Sequence, residues 1–228
     1  MIRFADRLDK FENTELTGLS NYREIKPILK TINDRVQNYW DRVFGEEEIT
    51  EDIFLTDEEI ISAIFERSES DFKFGIDAND GVIQEKLTEF DFEKWNNFDE
   101  TQKLEVIDDF ISVLCEKVGV EEQPRLFLFE DDENFCGAYN NQSNILELNR
   151  NILDNPKEVV NTIAHETRHA YQYQRACIGE TQEDVLYAIN FLNYIEPIQI
   201  DGYYANFNEY QGQLIEVEAR AFAKMFDI

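Results

Sequence analysis

Histidine is nearly absent from this chain: there are two in 228 residues, His165 and His169. Any imidazole chemistry must pass through that one stretch. Cysteine is almost as scarce. Cys115, Cys136 and Cys177 make an odd count with no Cys-x-x-Cys pair. That argues against a disulfide framework and gives a structural zinc cluster no support, so reduced thiols are expected. Basic residues are also short, at 21 Lys and Arg against 49 Asp and Glu, a net charge of −28. The acid is spread along the chain rather than gathered in a tail. Nucleic acid and anionic membrane surfaces need clustered Lys and Arg to meet phosphate, so neither is an expected partner. Such a field would favour a basic peptide, although its first effect is solubility. No apolar run approaches the ~18 residues of a membrane span, and Met1-Ile-Arg-Phe-Ala-Asp lacks the apolar region of a signal peptide. The expected location is cytoplasmic, with export only by a route that needs no signal peptide. No feature sets an oligomeric state.

What is present is ample apolar material. A hydrophobic fraction of 43%, with 18 Phe and 10 Tyr, is enough for a packed core. Residues 1–95 read as an acidic, mainly helical region that supports or recognises. Ile25, Ile28, Leu29, Ile32, Val36, Tyr39, Trp40 and Val43 keep a helical stripe there. A second helix is expected from Thr56, with Glu59 completing a capping box, through Ile64 and Phe65. Residues 68–97 alternate turn signals with aromatics and carry no clear element. From residue 96 the pattern sharpens into a second region, 96–228. Asp99 caps a helix that Gly119 closes, Arg125-Leu-Phe-Leu-Phe-Glu is a strand, and Cys136-Gly-Ala-Tyr with Asn144-Ile-Leu-Glu-Leu-Asn form a hairpin. Thr181 opens another helix, and a last one runs from about Asn208 to Phe226. The fold class is α+β: mostly helical, with a small antiparallel or mixed sheet beside the histidine helix.

That helix carries the chemistry. Asn155 suits the N-cap, Pro156 the first helical position, and Glu158 the carboxylate of a capping box. Val159, Val160, Ile163, Thr167, Ala170 and Tyr171 fall on one arc, and His165 and His169 fall together on the other side. Imidazoles four residues apart converge on one cation, and Glu166 beside the first can accept a proton from water that the cation activates. Two randomly placed histidines would give this spacing, with Glu after the first, in roughly 0.1% of chains. Chance is therefore a poor account of it.

A catalytic zinc normally takes three protein ligands and keeps one position open. No third histidine exists, and Gln172 and Arg175 stand where a His-x-x-Gly-x-x-His extension would need Gly and His. The third ligand must then be a carboxylate or something rarer. Glu216 shares a helical face with Gly212, Ala219 and Ala223, whose small side chains let the last helix come close. Glu218 lies among Leu214, Ile215, Phe222 and Met225, where it suits support of a ligand or pairing with Arg168 or Arg220. Glu216 is the preferred third ligand; Asp201 and Glu209 are weaker candidates.

His165-Glu-Thr-Arg-His169 followed by Glu216-x-x-Ala219-Arg220-x-Phe222-Ala223 resembles the gluzincin class of zinc metallopeptidases. The nearest likeness is to small bacterial zincin-like domains of phage- and toxin-associated proteins. The resemblance covers about residues 96–226. It implies a zincin-like catalytic domain, Zn2+ as cofactor on His165, His169 and Glu216, Glu166 as general base, and a peptide or protein substrate. Ile145-Leu-Glu-Leu-Asn looks like the edge strand along the substrate cleft in that class. Arg220 departs from it, standing where many members have the Asp that supports a histidine. With no histidine left to stabilise an oxyanion, Tyr203, Tyr204 or Tyr210 would donate that hydrogen bond. Two other readings are a zincin-like scaffold that binds or regulates without turnover, and a purely structural helical protein with a chance motif.

Overall fold

The computed structural model describes residues 62–130, 135–200, 203–204 and 206–228, with positions 199, 200, 203 and 204 described as backbone only. The stripe from Ile25 to Val43 and the start at Thr56 lie outside them; Ser62–Phe65, the end of the second expected helix, is helical.

The elements follow from local signals. Asp80 caps α1 (Gly81–Leu87) and Asp91 caps α2 (Phe92–Trp95), two short helices in the stretch that had no clear sequence pattern. Asp99 and Gln102 form a reciprocal capping box on α3 (Glu100–Val118), and Gly119, at φ 82°, ends it. Strands β1 (Arg125–Phe129), β2 (Gly137–Asn140) and β3 (Ile145–Asn149) follow. The β2–β3 turn is built by Asn140, whose side chain accepts from the backbone N–H groups of Gln142 and Ser143. Next come α4 (Pro156–Ile178), closed by Gly179, and α5 (Gln182–Leu192), opened by a Thr181–Asp184 capping box. A two-residue ribbon, β4 (Gln199–Ile200) and β5 (Tyr203–Tyr204), leads to α6 (Phe207–Gly212) and α7 (Leu214–Ala223).

The architecture is α+β, mostly helical with one three-stranded sheet of order β1-β3-β2. β1 runs parallel to β3 and β2 antiparallel, so the sheet is mixed. Leu126, Leu128, Leu146 and Leu148 turn inward against Val159 and Ile163 of α4 and Phe110 and Leu114 of α3. Ile83, Leu87, Phe90 and Trp95 enter this same core from the N-terminal side of residue 96. Trp95 stacks on Phe90 and donates its indole N–H to the Leu153 carbonyl at 2.7 Å. No helix among the described residues is long and apolar enough to cross a membrane.

Three expectations change. Ile145–Asn149 is the central strand, not the edge; the strand against α4 is β2, where Gly137 approaches Thr162 so closely that a Cβ would sit 2.6 Å from its methyl. The last helix is broken at Gln213, which adopts an extended conformation (ψ 149°). Its buried side chain accepts from Asn190 and the Ile195 N–H and donates to the Ile195 and Tyr210 carbonyls. Those four contacts outweigh helix continuity. Finally, Glu158 does not close its capping box. Asn155 accepts from the Glu158 N–H, but the Glu158 carboxylate accepts from the Cys136 thiol instead.

Candidate metal centre

Helix α4 lies in the middle of the described residues. Sheet and α3 cover one side and α7 another, so its polar face is buried as well as its apolar arc: Glu166, Arg168, His169 and Gln172 are all buried. Burying such groups is costly unless each is paired, and the pairing builds the site.

His165 and His169, one turn apart, bring their Nε2 atoms to 3.0 Å. Glu216, in the first turn of α7, presents Oε2 to His165 at 3.3 Å and Oε1 to His169 at 3.4 Å. Buried Ala219 and Ala223 keep α7 close enough for this, as their small size suggests. Atoms bound tetrahedrally to one zinc at ~2.0–2.1 Å lie about 3.3–3.4 Å apart. The spacing and the donor set both fit a cation: His165, His169 and Glu216 could hold a metal ion.

The electrostatics agree. Burial would raise the Glu216 pKa, but the two imidazoles hold it well below the usual carboxylate range. Burial would lower that of His169, yet Glu216 more than reverses this and pushes it up to about 9. Glu166 is buried beside the triangle. Its burial raises its pKa, against the lowering influence of His165 and His169 and of a hydrogen bond from the Tyr139 N–H.

Glu218 stands behind the site. It accepts from Arg168, from Tyr187 at 2.9 Å and from the Gln172 amide at 2.9 Å. Gln172 in turn faces His169 Nδ1 at 2.8 Å, taking the supporting place left open by Arg220, which binds the Gln211 carbonyl. Tyr210 hydrogen-bonds with Tyr194 and Glu216. Tyr194 donates to Glu216 Oε1 at 2.8 Å. Glu209 is exposed and takes no part in the triangle. Asp201 and the side chains of Tyr203 and Tyr204 lie outside the described residues.

Gln172 and Tyr194 escaped the sequence reading. Gln172 had a usable signal, being one turn beyond His169 on the same helix; Tyr194 had none, because only the packing of α5 against α7 brings it in. Thiol chemistry has little support: burial, then Glu158, pushes Cys136 up to about 11, away from the thiolate a nucleophile needs.

Comparison with family models, curated proteins and solved structures finds no match to this chain.

Proposed function

We propose that this protein is a zinc-dependent peptidase of zincin-like design, acting on a peptide or protein substrate. The observation that supports it is the triangle of His165, His169 and Glu216 with the buried carboxylate of Glu166 beside it. Zinc held there would supply a Lewis acid for the scissile carbonyl and lower the pKa of a water.

The remaining work belongs to the chain. Glu216, with its depressed pKa, stays anionic and suits a ligand. Glu166, with its raised pKa, suits accepting a proton from water and passing it to the leaving amine. His165 is the least buried of the three ligands, so solvent and substrate approach from its side. Of the candidate oxyanion donors Tyr203, Tyr204 and Tyr210, Tyr210 is the one whose side chain is described, and it sits beside Glu216. Burial, then Glu216, raises its pKa, which keeps the hydroxyl protonated.

The test is hydrolysis of a mixed peptide library with chelator and zinc restoration, using wild type and Glu166→Gln. The variant should keep about one zinc per chain and lose at least about 100-fold in turnover; retained turnover removes Glu166 from the mechanism. A second reading, a scaffold that binds without turnover, draws on the Tyr139 N–H already engaging the Glu166 carboxylate. Zinc binding without any chelator-sensitive hydrolysis would favour it.

A further inference from the structure

We propose that Gln172 is a positioning residue for the metal centre, oriented by Glu218 so that His169 carries its proton on Nδ1 and directs its Nε2 lone pair into the triangle. This rests on the metal reading above.

The argument is one of hydrogen-bond capacity. The Gln172 side chain is fully buried, and one end of its amide faces two groups that can only accept here: the Ile215 carbonyl at 3.1 Å and Glu218 Oε2 at 2.9 Å. That end must be the NH2. The amide oxygen is then left to face His169 Nδ1 at 2.8 Å. An amide oxygen only accepts, so Nδ1 must donate, and Nε2 is free to bind a cation.

Glu218 is itself held on three sides. Its other oxygen accepts from Arg168 and from the Tyr187 hydroxyl, and the Arg168 guanidinium lies over the Tyr171 ring at 4.1 Å. The relay therefore ties His169 to α4, α5 and α7 together. An amide in this place passes on the orientation of a carboxylate without adding a third negative charge beside Glu166 and Glu216. Supporting groups of this kind set metal affinity by roughly 10–100-fold.

The experiment measures zinc affinity by competition with a chromophoric chelator, and the visible spectrum with cobalt(II) in place of zinc. Metal-free thermal unfolding serves as the control for folding. Gln172→Leu and Gln172→Asn, whose amide is one methylene too short to reach, should each weaken zinc binding about 10–100-fold and alter the cobalt bands. Wild-type affinity and cobalt spectrum in Q172N overturn the proposal. The Q172N result decides the matter if Q172L does not fold. If the wild-type chain binds neither zinc nor cobalt, the metal reading fails and the relay with it.

Discussion

Three lone pairs aimed at one point, as at His165, His169 and Glu216, repel one another unless something positive joins them. A proton and a metal ion compete for that role. His169, pushed up to about 9 where its ordinary value is 6.5, holds a proton at neutral pH before any cation binds. Its contribution to the metal-free fold is fully present below about pH 6.5 and lost as pH rises through about 9. Zinc at the proposed centre would have to displace that proton, so its stabilising effect would run the other way. The rise in Tm on adding zinc should therefore grow between about pH 6.5 and 8.5, and thermal unfolding with and without zinc across that range checks it; a gain independent of pH would refute the assignment. The residues of the triangle were legible because helical spacing is a local property, and because Ala219 and Ala223 marked the face of Glu216. Tyr194 and Tyr187 were not, since each reaches a carboxylate more than 20 positions away.

At the scale of elements, the contact between β2 and α4 sets the site's geometry, because the Tyr139 N–H on Glu166 comes from that strand. Gly137 makes it possible. A Cβ there would meet the Thr162 methyl at 2.6 Å and the Glu147 carbonyl oxygen at 2.7 Å. The second clash is with backbone and has no rotamer to relieve it. Gly137→Ala should destabilise the fold by about 1–3 kcal/mol and reduce the proposed peptide turnover, measured by denaturant unfolding and by hydrolysis. Thr162→Ser in the same chain should recover only part of the loss, because the carbonyl remains. The caps at Asp99, Asn155 and Thr181 were readable from residue type and spacing alone. The break at Gln213 was not, since its cause is four contacts made by a buried amide, three of them to α5 and the segment just after it.

The whole molecule carries its charge unevenly: 49 acidic groups against 21 basic ones. Many of the described cations are already paired, including Arg67 with Glu183, Lys86 with Asp109 and Lys117 with Asp80. The surplus carboxylates repel one another, and salt screens them. Raising ionic strength from about 0.02 to 0.3 M should lift Tm by a few degrees; an unchanged or falling Tm would show that the surface ion pairs outweigh the repulsion. That balance was visible in composition alone, whereas the burial of both faces of α4 was not, because it depends on what packs around the helix. The same burial bears on time as well as strength. His169 and Glu216 sit on two helices packed face to face, with Ala219 and Phe222 sealed alongside. The side at His165 is more open, but an ion could leave by it only after His169 and Glu216, each fixed on its helix, let go together, which needs α7 to ease away from α4. Its residence would then be set by how often the protein breathes, and a chelator would strip the site at a rate that levels off as its concentration rises.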